Sequence, residues 1–383
     1  MAEIRIPFAK PSIDEDDIAA VTETLRSGWL TSGPNVRALE AELGAYCGAK
    51  HVNAVNSATA AMHLALAAWD IGPGDEVITT PYTFSATASV IVHVGATPVL
   101  ADIREGDGNI DPVQIERAIT PRTRAIIPVH YGGEPCDMDA IMSIARRHGV
   151  KVLEDAAHAV GAFHRGRPIG SISDATAFSF YANKNMTTAE GGALATNDEA
   201  LSERVRVLTL HGMTKDAWKR YDAGGSWRYD IVEFGFKDNL PDLGAALGRS
   251  QLRKLDGLIE ERTRVARRYI ANLSGEEHLI LPTFSEESRQ AWHLFVVRVK
   301  NEQAPVPRDE VIRQLAARGI GTSVHFIPLH FFTAYQRMGR WRNGDFPVAE
   351  RFFEGAISLP MYPDLADEQV DEVCAALREI LHP

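Results

Sequence analysis

Four short segments carry residue types that could do chemistry together. Asn56-Ser57-Ala58-Thr59-Ala60 stands between an apolar run and an alanine-rich one. Backbone N–H groups and small hydroxyls at such a helix start make an anion site suited to a phosphate monoester. Pro81-Tyr82-Thr83-Phe84-Ser85-Ala86-Thr87 follows the run Glu76–Thr80, and Phe84 could offer its face to a planar ring. Val152-Leu153-Glu154-Asp155-Ala156-Ala157-His158 ends an apolar run in two carboxylates and an imidazole. Asp155 could hold a proton on a heteroaromatic nitrogen, with His158 orienting it or reaching a ring substituent. Ala177 to Asn185 offers Ser179 and then Lys184, with Glu190-Gly191-Gly192 beyond. A lysine amine becomes a nucleophile toward carbonyls once burial and neighbours depress its pKa.

Each part alone has an ordinary explanation: a helix cap, a core aromatic, a salt-bridge partner, a solvated charge. A phosphate cradle, a stacking aromatic, an acid for a pyridinium nitrogen and an amine nucleophile, in this order, are the set that pyridoxal 5′-phosphate (PLP) requires.

Such groups need elements to position them. Strands are predicted at His51–Val55, Glu76–Thr80, Thr97–Ala101, Arg124–Val129, Val150–Glu154, Ala175–Phe180 and Gly192–Thr196. Helical patterns lie between several of them, at Ser57–Trp69, Pro112–Ile119 and Met138–His148. This alternation predicts an α/β fold with a mostly parallel central sheet flanked by helices. Ligands of such sheets bind at the carboxyl ends of strands, where Asp155 stands. Ser12 with Glu15 predicts a capping box, opening a helix with Ile13, Ile18, Val21 and Leu25 on its apolar side and Gly28 at its end. Leu240–Leu273 reads as one long helical stretch, followed by a strand at Trp292–Val299 and helices at Val311–Arg318 and Glu368–Ile380. The expected division is a large α/β domain over 1–250 and a small α+β domain over 251–383.

Composition bounds the function classes. The 383 residues include 51 acidic and 40 basic side chains, a net charge of −11 that argues against a nucleic-acid partner. Three scattered cysteines, Cys47, Cys136 and Cys374, make neither a disulfide framework nor a thiolate zinc site. No apolar run suits a membrane span or a signal peptide, so a cytoplasmic protein is expected. There is no GxxxxGK[ST] loop, and Gly72-Pro73-Gly74 precedes a strand where a dinucleotide fingerprint would follow one. The Asp107-Asn109-Asp111 run places Pro112 where a calcium loop needs glycine. His325 and His330 are read as an ordinary pair, and no metal is expected.

At these motifs the sequence resembles the nucleotide-sugar aminotransferases of the DegT type, within the fold-type-I PLP enzymes. The resemblance runs from Ser27-Gly28-Trp29-Leu30-Thr31-Ser32-Gly33-Pro34 to Pro328-Leu329-His330. It implies that Lys184 bonds to the cofactor aldehyde and then moves the proton between C4′ and the substrate carbon. It further implies that Asp155 pairs with the pyridine nitrogen and that Phe84 stacks on the ring. Ala58, Thr59 and Ser179 would hold the phosphate, and His158 would lie by the phenolic oxygen. Asn239 would reach the phosphate of a neighbouring subunit, making a homodimer with shared active sites. Trp29, Thr31, His325 and His330 match parts that line the sugar-nucleotide pocket. The implied reaction moves an amino group from an amino acid, L-glutamate by preference, to a ketone, preferably at C4, of a nucleotide-linked deoxysugar. Alternatives are a C3 aminotransferase, a PLP-dependent sugar dehydratase, or a non-catalytic regulatory protein of the same fold. Retention of Lys184 favours transamination over dehydration, since exchange with an amino donor needs that amine.

Overall fold

A computed structural model describes residues 3–214, 229–283 and 287–383. In chain order the first nine strands are β1 (His51–Val55), β2 (Glu76–Thr79), β3 (Thr97–Leu100), β4 (Thr123–Ile127), β5 (Lys151–Asp155), β6 (Phe163–His164), β7 (Arg167–Pro168), β8 (Ala175–Ser179) and β9 (Gly192–Thr196). Seven of them form the central sheet, in the order β1-β9-β8-β5-β4-β2-β3. β9 runs antiparallel to both neighbours, and the other pairs are parallel.

The strands are apolar on both faces because helices cover both. Ile127 and Leu153 point toward the helices Ala58–Ala68, Ala86–His93 and Glu199–Leu208. Their neighbours Ile126 and Val152 point the other way, toward Pro112–Ala118 and Met138–His148. This two-residue alternation sends Asp155 and Ser179 to the same rim, at the carboxyl ends of β5 and β8.

The carboxyl-terminal part adds β10 (Leu279–Ile280), β11 (Ser288–Arg289), β12 (Phe295–Val299) and β13 (Ala356–Leu359). β10, β12 and β13 form a separate antiparallel sheet, whose core is shared with the helices Leu255–Leu273, Arg308–Ala317 and Asp367–Leu381. β11 instead pairs with β6 in a third, small sheet with β7, fastening this part to the connection between β5 and β8.

Two expectations are corrected. The stretch 240–273 is two helices, Asp242–Arg253 and Leu255–Leu273, broken at Lys254 (φ −107°, ψ 4°). The Lys254 ammonium binds Asp14 and Asp17 at 2.6 Å each; Leu255 and Ile259 of the second helix still pack with Ala245 and Leu252 of the first, and only from Val265 does the second helix enter the carboxyl-terminal core. The amino-terminal helix, Glu15–Ser27, is capped by Asp14 in a reciprocal box with Asp17, not by Ser12. Its buried side is polar, with Asp17 bound to Gln251, while Ile13, Ile18 and Leu25 are exposed. Among the described residues no helix is long and apolar enough to cross a membrane. All three cysteines are buried and unpaired.

Candidate active site

Asp155 ends β5 with its carboxylate buried. Thr87 Oγ1 donates to Oδ2 at 2.7 Å and the Ala157 N–H to Oδ1 at 3.1 Å. The Thr83 hydroxyl lies 2.8 Å from that of Thr87, extending the chain of hydroxyls by one. Burial pushes the Asp155 pKa up, and the bonds from Thr87 and Ala157, with the charge on Lys184, pull it back.

Lys184 lies in the loop between β8 and β9. That loop is tied shut by Phe180 N–H to Gly191 O (2.9 Å) and Thr188 N–H to Phe180 O (2.9 Å). The amine lies 3.4 Å from His293 Nε2. Desolvation, helped by the buried Arg262 guanidinium and opposed by Asp155, lowers its pKa to about 8. An amine so placed is partly unprotonated near neutral pH, as a nucleophile or proton carrier must be.

Three imidazoles surround it. His158 accepts from the Gly132 N–H at Nδ1 (3.3 Å), and its ring centroid is 4.3 Å from that of His293. His325 stacks on Phe8 and bonds Ser358 through Nδ1 at 2.8 Å. Burial, then the charge on Lys184, pushes all three below the ordinary histidine range, His325 to about 4. They therefore stay neutral beside the lysine.

Opposite lies the anion cradle. Ser57 caps the helix Ala58–Ala68 by accepting from the Ala60 N–H at 3.1 Å, which leaves the Ala58 and Thr59 N–H groups without helical partners. A Cβ on Gly192 would stand 2.5 Å from the Ser57 carbonyl carbon and 2.6 Å from the Ala58 nitrogen, so only glycine lets β9 pass so close. Ser57, Ala58, Thr59, Phe84, Asp155, His158, Ser179, Lys184, His293 and His325 all line one cavity of about 480 Å³. The Phe84 ring is 65% exposed there, an uncovered aromatic face.

Four expected site residues lie elsewhere. His330 is buried, with Nε2 2.9 Å from Glu350 and its ring against Phe346, so it anchors the turn Leu329–Phe331 to the helix Pro347–Gly355. Its spacing from His325 turns it away from the cavity. Trp29 and Thr31 belong to a segment folded onto the start of the helix Asp242–Arg253, where the Asp242 carboxylate accepts from Gly33, Asn35 and Val36 N–H groups. Asn239 joins that cluster through Ser32, whose hydroxyl its amide meets at 2.6 Å. Two residues of the site were not anticipated, Thr87 and His293. The sequence signal for His293 was a lone imidazole in the apolar run Ala291-Trp292-His293-Leu294-Phe295, which reads as a strand; the strand begins only at Phe295.

The donor set fits a phosphate-bearing aromatic aldehyde: free N–H groups for a dianion, an uncovered ring face, a buried carboxylate and an amine of lowered pKa. The DegT/DnrJ/EryC1/StrS aminotransferase family matches residues 11–378. The spore coat polysaccharide biosynthesis protein SpsC of Bacillus subtilis is 52% identical over 377 residues, 98% of this chain and 97% of its own. Spr1654 of Streptococcus pneumoniae, designated a sugar aminotransferase, superimposes in its PMP form with a TM-score of 0.92, at 37% identity and over 99% of each chain. It is also solved in a PLP form, at 36% identity. Helicobacter pylori PseC, an aminotransferase involved in the biosynthesis of pseudoaminic acid, gives 0.91 at 30% identity over 98% of this chain and 99% of its own. A match of this extent settles the family. The chain belongs to the DegT/DnrJ/EryC1/StrS aminotransferases and is a sugar aminotransferase whose cofactor is pyridoxal phosphate.

Proposed function

We propose that the protein aminates a nucleotide-linked ketodeoxysugar, preferably at C4, with L-glutamate as the preferred donor. One observation carries the reading: the Lys184 amine, the Asp155 carboxylate and the Ser57-capped helix start open onto the same cavity. Bound there, PLP supplies a carbonyl that exchanges amines and a ring that withdraws electrons from the reacting carbon. Lys184 takes and returns the proton at that carbon, a task suited to an amine with a pKa of about 8. Asp155, held ionised by Thr87, keeps a proton on the ring nitrogen. Phe84 covers one ring face, His158 stands by the phenolic oxygen, and Ala58, Thr59 and Ser179 bind the phosphate. His325 completes the wall on the substrate side.

Trp29, Thr31 and Asn239 act in this reading across a homodimer, since they stand away from the cavity of their own chain. The preference for C4 rests on the Ser27–Pro34 and Asn185–Gly192 segments, which look most like those of C4-aminating members. A cytoplasmic site of action and a division into a large cofactor-binding unit and a smaller carboxyl-terminal unit belong to the same proposal.

The test is a panel of nucleotide 4-keto and 3-keto sugars with glutamate, followed by product mass and 2-oxoglutarate release. Amination of 4-keto sugars is expected. Turnover of 3-keto sugars alone overturns the C4 assignment, and no amination of any nucleotide sugar overturns the substrate class.

A further inference from the structure

His293 reaches Lys184 from a distant part of the chain, and its backbone is fastened on several sides. The buried Arg262 guanidinium, from the helix Leu255–Leu273, donates through Nη1 to the carbonyls of Trp292 (3.2 Å), His293 (3.5 Å) and Met361 (3.2 Å). Ala291 N–H bonds Gly133 O at 3.0 Å and Leu294 N–H bonds Gly132 O at 3.1 Å. Asn185, directly after Lys184, donates to Ala291 O at 2.5 Å, so the lysine loop and the histidine segment are joined at the backbone. The His158 ring, 4.3 Å away centroid to centroid, limits rotation of the imidazole.

Among the described residues the ring so held has one hydrogen-bond contact: its Nε2 is 3.4 Å from Lys184 Nζ, while its Nδ1 is buried without a hydrogen-bond partner. Buried polar atoms are seldom left unpaired without a reason. An imidazole placed only to fill the core would do as well as an apolar ring.

We propose that His293 is the positioning residue for Lys184: its Nε2 accepts a hydrogen bond from Nζ and holds the amine toward the cavity whenever the lysine is free. The inference rests on reading Lys184 as the amine that captures the cofactor. For Nε2 to accept, the ring must be neutral with its proton on Nδ1. Burial and the charge on Lys184 keep the ring neutral. The groups acting on the lysine are then one carboxylate, Asp155, one cation, Arg262, and the neutral imidazoles of His158, His293 and His325. Because a neutral acceptor favours an ammonium over an amine, its removal lowers the Lys184 pKa while leaving the side chain free to rotate away.

The test follows PLP capture by apo-enzyme through the cofactor absorbance band that borohydride fixes covalently to the protein, across pH, in wild type, His293→Leu, His293→Gln and Lys184→Ala. His293→Leu is expected to capture at least about tenfold more slowly on its high-pH plateau, with its midpoint about one pH unit lower. His293→Gln, which keeps an acceptor, is expected to recover both to within about threefold. A His293→Leu profile identical to wild type, with no band in Lys184→Ala, overturns the positioning role alone. Equal loss in the Leu and Gln variants with matching falls in thermal midpoint also overturns it, since that pattern marks a packing role. A band that survives in Lys184→Ala removes the lysine reading, and this inference with it.

Discussion

Thr87→Val probes whether the Asp155 carboxylate is held ionised by the hydroxyl chain beneath it. Thr87 is fully buried, and its Oγ1 meets Asp155 Oδ2 at 2.7 Å while lying 2.8 Å from Thr83 Oγ1. Valine keeps the shape and removes the donor, so the effect is that of one hydrogen bond to a charged group, about 1.5–3 kcal/mol. If Asp155 must be ionised to pair with the ring nitrogen, PLP affinity falls by about 10- to 150-fold. The pH dependence has a definite sign. Burial already raises the Asp155 pKa, and loss of the Thr87 bond raises it further. A smaller fraction is then ionised at any given pH, so the ratio of mutant to wild-type Kd grows as pH falls and shrinks as pH rises. Lys184 titrates in both proteins, and its contribution largely cancels in that ratio. Equilibrium titration of apo-enzyme with PLP from about pH 5 to about pH 9 measures it, with Thr87→Ser as the variant expected to restore affinity. A Thr87→Val protein that binds PLP within about twofold of wild type throughout, well below the hydrogen-bond estimate, would refute the role given to the hydroxyl and weaken that given to Asp155.

Other perturbations test the scaffold. Gly192→Ala puts a methyl group 2.5–2.6 Å from the Ser57–Ala58 backbone; the helix start must shift, and PLP affinity is expected to fall by about tenfold or more for one lost phosphate contact, read by the same titration. Arg262→Met leaves three buried carbonyls without their donor, with an expected loss of about 2–4 kcal/mol in the urea unfolding of apo-enzyme; an unchanged midpoint counts against the clamp. Glu154 accepts from Ser173 (2.7 Å) and Thr176 (2.9 Å) and pairs with His130 at 2.8 Å, and these partners hold its pKa below the ordinary 4.5 despite burial. The stability it contributes is present above that value and lost as pH falls through the lowered one, so Glu154→Gln should flatten the acid limb of a stability–pH curve and lower the plateau by about 2–4 kcal/mol.

What could be read from the sequence was what lies close along the chain. Asp155 and Ser179 stand at the ends of apolar runs that can only be buried strands, and Ser57 stands where one element ends and the next begins. Their placement follows from the two-residue alternation of β5 and β8 and from a local cap. Periodicity reports an apolar stripe but not the surface that covers it, so it misplaced the burial of the helix Glu15–Ser27, whose polar side faces inward against Gln251 and Lys254. Spacing likewise could not separate His325 from His330, because the turn between them sends one ring to the cavity and the other to Glu350. Thr87 and His293 were out of reach for a stronger reason. Thr87 meets Asp155 across 68 positions, and His293 meets Lys184 across 109. The second contact exists only because a small antiparallel sheet docks on the large one, with an arginine deep in the seam holding carbonyls from both flanks of the approach. The chemistry of Lys184 is therefore a tertiary property: the loop supplies the amine, the segment leading into the second sheet brings the neutral acceptor, and the helix Leu255–Leu273 brings the buried cation.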